Sequence, residues 1–352
     1  MFGRQIDLWP CHPKPLPDEL LSSWLVRIAH AHRLKVQTFC HLIFGKERQI
    51  WNRDIDRFAP RWIIHRLSIY TGTSLADAYQ TSLGIYRGLL YPYRRESGIL
   101  RWILPLNMWH RKRKGFGLQF CPACLAEDIE PYYRKRWRVA FYTCCPRHNT
   151  MLYDRCPACG AGVAFHRIEL GYYERAEDWS LTRCHACQYD LRNAPLQAPV
   201  FYEESSRSLM LDTLQILENV DEKQLVVEYF SVLHQMCKIL LSNAKHVRLY
   251  KYVSEQVNAP NILLLAGRAS FEENLMQERH HIIQLGMWIM AEPATRIVEA
   301  WRIKAIRYNV LKKDFRKIPN WYREILMQCS DWRGGYLTSK TRVRSSMTLE
   351  NV

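Results

Sequence analysis

No stretch of the chain reaches the ~18 consecutive apolar residues that a membrane span requires. Asn261–Gly267 is a core segment at most. Met1–Pro10 contains no apolar signal stretch, so the expectation is a cytoplasmic protein with no membrane contact. Signatures of catalysis are missing too. Gly45-Lys46 has neither the upstream glycine nor the downstream hydroxyl residue of a phosphate loop. Gly160-Ala161-Gly162 is a turn after Cys159 and not a dinucleotide fingerprint. Neither G-x-S-x-G nor H-E-x-x-H occurs. A two-metal nuclease or transposase site would need its carboxylates carried on alternating apolar strands, and no such strands are visible. The expectation is a protein that is not an enzyme.

Acidic residues are also scarce, with 34 Asp and Glu against 50 Lys and Arg, a net charge of +16. The excess is local. Gly84–Gly117 carries a net +7 and Arg302–Arg344 a net +9, so the rest of the chain is balanced. Both stretches interleave aromatics with the cations, the pattern that suits a nucleic-acid backbone and its stackable bases. The candidate contacts are Arg94, Arg95, Arg111, Lys112, Arg113 and Lys114 in the first stretch, and Lys312, Lys313, Arg316 and Lys317 in the second. A solvated face that aids solubility is the alternative for any charge run. Neither run shows the clean apolar stripe of a membrane-surface helix.

Among 352 residues, 48% are hydrophobic and 12% aromatic, which excludes wholesale disorder. That length suits two or three domains. Cysteine is abundant, with twelve residues, and in a reducing compartment they read as metal ligands before disulfides. Eight ligand candidates form four pairs with two residues between members: Cys121/Cys124, Cys145/His148, Cys156/Cys159 and Cys184/Cys187. Each such turn aims two donors at one ion, and a second pair closes the tetrahedron that zinc accepts. The 20-residue and 24-residue gaps between Cys124 and Cys145 and between Cys159 and Cys184 suit zinc-ribbon-like fingers. Sequential pairing gives one site of three cysteines and a histidine and a second site of four cysteines. Interleaved pairing would join Cys121/Cys124 to Cys156/Cys159, and spacing leaves both open. Two closed, structural Zn2+ sites per chain are expected, with an iron–sulfur centre or redox dithiols as the alternative. Cys144 competes with Cys145 for the third position of the first site. Cys145-Pro146-Arg147-His148 is preferred because it repeats the Cys-Pro-x-ligand form of Cys121 and Cys156. Cys40 and Cys237 fall on apolar helical faces and read as buried small hydrophobes.

The flanks read as helical, so the fold class is mainly α: a helix-turn-helix-like N-terminal domain (1–117), a tandem finger module (118–196), a helical C-terminal domain (197–337) and a disordered tail (338–352). Leu21, Trp24, Leu25, Ile28 and Ala31 follow helical spacing after Pro17-Asp18. Val36–Phe44 forms a second helix ending at Gly45, and Arg61–Tyr70 a third. Thr71-Gly72-Thr73 then leads to Ser74, the N-cap of a helix to about Ser82. This helix holds Asp77 and neither Lys nor Arg, so packing suits it better than groove insertion. Later helices are expected at 206–219, at 222–243 capped by Asp221, at 269–290 and at 293–307.

Phe120-Cys121-Pro122-Ala123-Cys124-Leu125, Asp128, Pro131-Tyr132, Trp137, Cys145-Pro146-Arg147-His148, Leu152 and Cys156-Pro157-Ala158-Cys159 closely resemble the TniQ family, as does the opening Pro15–Trp24. The resemblance spans residues 15–190 and loosens in the C-terminal third. It implies a non-enzymatic target-selection subunit of a heteromeric transposon. Such proteins mark the insertion site and recruit the AAA+ regulator TnsC. Some dock as a homodimer on the RNA-guided Cascade ribonucleoprotein of a CRISPR-associated transposon, against DNA and guide RNA backbone. TnsD-like members instead bind an attachment sequence directly. The family's zinc ligands fall on the eight positions above, paired sequentially.

Overall fold

The computed structural model describes residues 8–46, 50–93, 98–106, 116–169, 179–218, 223–242, 248–260, 262 and 270–329. The described chain is mainly helical. Helix α1 (Leu21–Ala31) is followed by α2 (Val36–Phe44), the single-turn α3 (Ile55–Phe58), α4 (Arg61–Thr71) and α5 (Leu75–Gln80). The short α6 (Pro122–Glu127) and a hairpin of β1 (Cys144–Cys145) and β2 (Thr150–Met151) come next. The rest is α7 (Glu204–Glu218), α8 (Lys223–Leu240), α9 (Leu249–Gln256), α10 (Met276–Ala291), α11 (Pro293–Arg302), α12 (Tyr308–Leu311) and α13 (Asn320–Gln328).

Helices α4 and α5 pack together across Gly72, whose left-handed φ of 61° stops α4. Ser74 caps α5 by accepting from the Asp77 amide at 3.0 Å. With six residues and only Ala78 buried, α5 is a small packing unit.

Helix α1 departs from the amphipathic expectation. Its apolar stripe is buried, but so are Ser22, Ser23 and Arg27. The helix lies between α2, α3 and a turn at Phe165–Arg167, so its polar side also faces protein. The two serines and the terminal nitrogens of Arg27 are supplied with partners. Ser22 donates through its amide (2.7 Å) and hydroxyl (2.9 Å) to Asp56. Asp56 and Asp54 receive the guanidinium of the fully buried Arg138. Arg27 bridges Glu19 and Glu130, each at 2.6 Å. Removing one member of such a buried pair typically costs ~3–5 kcal/mol, because the other charge is stranded.

The C-terminal half is built around α10, which packs against α7, α8, α9 and α11. Gly286 makes room for α8: a Cβ there would sit 3.1 Å from Leu233 and 3.3 Å from Cys237. Cys40 and Cys237 are both buried, as read from their helical faces. The helix expected from residue 269 starts instead at Met276, after a one-turn 3-10 helix at Phe271–Glu273 with a Ser270/Glu273 capping box. Likewise α11 ends at Arg302 rather than near residue 307. Pro319 keeps Ile318 out of the helical region, so α13 begins only at Asn320. Asp221, Asn261, residues 263–267 and the tail 338–352 lie outside the described residues.

Hydrogen bonds run across the chain between these regions. Leu20 donates to the Tyr133 carbonyl at 2.8 Å and Lys135 to the Asp18 carbonyl at 2.8 Å. From α10, Arg279 donates to the Ala140 carbonyl and to Gln119 at 2.8 and 2.9 Å. Trp102 ties residues 98–106 to the C-terminal half, bonding Glu272 through its amide and the Phe230 carbonyl through its indole. Among the described residues, no helix is long and apolar enough to cross a membrane.

Candidate metal centres and the TniQ domain

The eight spaced ligands converge as two sets: Cys121, Cys124, Cys145 and His148, and Cys156, Cys159, Cys184 and Cys187. Within each set the donor atoms all lie within 4.8 Å of one another, so sequential pairing is the arrangement the fold adopts. The interleaved alternative does not occur.

The first set joins a helix start to a turn. Pro122 opens α6 with Cys121 as its N-cap, and Cys121 Sγ accepts from the Cys124 amide at 3.5 Å. Across from it, β1 delivers Cys145 into the turn that carries His148. Asn149 follows with a left-handed φ of 45°, which lets the chain reverse into β2. The Phe120–Tyr153 backbone pair, 2.8 and 2.9 Å, holds the two halves together.

Cys124 and Cys145 Sγ are 3.7 Å apart, and His148 Nδ1 lies 3.3 to 3.5 Å from the three sulfurs. Metal–ligand bonds near 2.3 Å to sulfur and 2.0 Å to nitrogen give tetrahedral edges of about 3.8 and 3.5 Å. A disulfide would need about 2.05 Å. The donors present therefore fit a four-coordinate ion. Glu127 Oε1 stands 2.9 Å from the other ring nitrogen, Nε2, and Arg147 holds Glu127 Oε2 at 2.6 Å. The carboxylate is within reach of the imidazole but is not aligned to accept a hydrogen bond from it.

The Cys144/Cys145 question is decided by the hairpin. Neighbouring strand residues face opposite sides, and Cys145 is the one whose sulfur meets Cys124 and His148. Hydrogen bonds from Cys121 and Cys124 lower its thiol to about 2, whereas burial pushes Cys144 up to about 12.

The second set is made of two like turns. Cys156 and Cys184 each accept at the carbonyl from the amide four residues on, at 2.9 Å, and donate to the carbonyl five residues on. The residue after each second cysteine is left-handed: Gly160 at φ 71° and Gln188 at φ 64°. Cys156–Cys187 and Cys159–Cys184 are each 3.7 Å apart, again the tetrahedral edge. Cys156 and Cys184 are buried and Cys159 and Cys187 exposed. The turn at Leu191–Asn193 then packs on α6, returning the second set to the first. His166 stacks on Trp51 with ring centroids 4.8 Å apart, and burial lowers it to about 4; it is a packing residue.

The TniQ family model matches residues 10–152. The chain carries a TniQ domain. The TniQ match takes in α1 to α6, the hairpin and all four ligands of the first set, and stops before Cys156. The second set and the C-terminal helices lie beyond it, a shorter span than the resemblance over 15–190. TniQ proteins are non-catalytic targeting adaptors, so the domain points to transposon target selection. No curated protein matches the chain.

Of the ten candidate nucleic-acid residues, Arg94, Arg95, Arg111, Lys112, Arg113 and Lys114 lie outside the described residues. Lys312, Lys313, Arg316 and Lys317 are described and exposed; Lys312 sits 4.8 Å over the Tyr308 ring. Sequence reading did not single out the cations of the run 134–138. Arg134 pairs with Asp128, Arg136 with Asp18 and Arg138 with Asp54 and Asp56. The only signal for them was their place inside an otherwise charge-balanced region.

Proposed function

We propose that this protein is a target-selection adaptor of a heteromeric transposon. It docks on an RNA-guided Cascade ribonucleoprotein and recruits a TnsC-type AAA+ ATPase to direct DNA insertion. The observation that carries the reading is the TniQ domain over residues 10–152. The localised basic stretches support a partner rich in nucleic acid. Each of the two ligand sets holds Zn2+ in this reading, with Cys121, Cys124, Cys145 and His148 on one ion and Cys156, Cys159, Cys184 and Cys187 on the other. Bound zinc supplies a cross-link between distant turns and no reactive position, since all four ligands come from the protein.

The test is co-purification of the tagged full chain with Cascade and with TnsC, together with metal analysis. The adaptor reading expects both complexes, two zinc atoms per chain, and weak, salt-sensitive DNA binding without the guide. A footprint at one site by the isolated protein, surviving excess competitor DNA, would replace it with TnsD-like direct recognition. Metal-dependent strand cleavage by the pure protein would overturn the non-enzymatic reading.

A further inference from the structure

The two basic stretches are about 200 residues apart in sequence, yet they meet at one groove of about 520 Å3 between residues 91–93 and 99–101, α8 and the segment 314–320. Arg101 of the first stretch donates to the Asp314 carbonyl of the second at 3.1 Å. The volume is that of an ordinary small-ligand cleft, ~300–1,000 Å3. Its wall presents aromatic surface: Tyr93 is 65% exposed, and Phe315 lines the same groove, half-buried.

The charges around these rings leave a cationic surplus. Asp314, one of two acids in the lining, is taken by Lys238. The other, Glu228, is half-buried on α8. Arg316 and Lys317 are exposed and have no acidic partner among the described residues. Unpaired cations beside an exposed aromatic face are what an unstacked nucleotide requires: phosphate on the cations and base on the ring. An intact duplex keeps its base faces stacked and would leave Tyr93 without a partner.

We infer that this groove binds an unpaired stretch of nucleic acid, with a base stacked on Tyr93 and the backbone held by Arg316 and Lys317. The inference deepens the adaptor reading and rests on it for its setting. The shared chemistry is that of single-stranded DNA or RNA.

Fluorescence anisotropy of the full-length protein with labelled oligothymidylate, oligouridylate and a short duplex tests it. Single strands should bind more tightly than the duplex, with affinity falling as salt rises. Tyr93→Ala should weaken single-strand binding roughly tenfold. Arg316→Glu/Lys317→Glu should weaken it further and flatten the salt dependence. Lys46→Glu, a control outside the groove, should bind as the unmodified protein does. Tighter binding of one single strand identifies the source. Duplex bound as tightly as single strands, or folded groove variants that bind normally, would overturn the inference. Neither result touches the co-purification test, so loss of the groove and loss of the adaptor reading are separate outcomes.

Discussion

The two ligand sets share a tetrahedral arrangement of donors but not their surroundings. The first has three buried cysteines and a histidine with Glu127 nearby, and its chain is bonded on one side to α1 and on the other to α10. The second exposes Cys159 and Cys187 and is returned to the fold mainly by the turn at Leu191–Asn193. The first lies within the TniQ match and the second beyond it. The difference teaches that equal ligand counts do not mean equal structural weight. A cross-link in chain that is hydrogen-bonded to two helices carries more of the fold than one returned to it by a single turn.

The largest expected effect follows from that asymmetry. Cys121→Ser should unfold the N-terminal half with the first set, because a structural zinc is worth an apparent ~10–16 kcal/mol and the chain around it is hydrogen-bonded to both α1 and α10. Cys156→Ser should lose one metal equivalent yet keep the helical signal and a cooperative melt. Circular dichroism melting with metal analysis checks both, and equal collapse in the two variants would erase the distinction.

A smaller effect concerns pH. Burial raises Glu19 to about 7, against the lowering pull of Arg27. Its folded value lies above its unfolded value of 4.5, so its contribution to stability is complete in acid and is lost as pH rises through about 7. Denaturant unfolding of the metal-loaded protein should show the N-terminal half weakening by on the order of 1 kcal/mol between about pH 6 and about pH 8.5. Glu19→Gln should flatten this slope. Thiolate ligation runs the other way, weakening as pH falls, so the two signs are separable in one titration.

The smallest effect is within the second set. Gln188 occupies the left-handed position that Gly160 fills in the companion turn. Gln188→Gly should relieve backbone strain of up to ~1 kcal/mol and slow metal loss to a chelator. Gly160→Gln should speed it. Identical release rates would mean the turns do not limit retention.

Much of this fold was legible in advance. The spacing of Leu21, Trp24, Leu25 and Ile28, the Gly72 stop and the Ser74 cap are local signals, and local backbone chemistry enforces them. The Cys-x-x-ligand pairs were legible for the same reason, since two donors three residues apart share one turn. What was not legible lies between distant segments. Ser22, Asp56 and Arg138 look like ordinary polar residues until three pieces of chain enclose them.

Identical residue types met opposite fates. Arg134, Arg136 and Arg138 turn inward onto carboxylates, while Arg316 and Lys317 stay in solvent beside an exposed tyrosine. The amino-acid sequence by itself determined the helices, the eight ligands and the two basic stretches, because spacing and charge are properties of the chain. Only the tertiary structure decided which pairs share a site, which cations are spent inside the protein, and that the two basic stretches border one groove. Those outcomes depend on which distant groups burial brings within reach, and desolvation forces every buried charge to find its partner there.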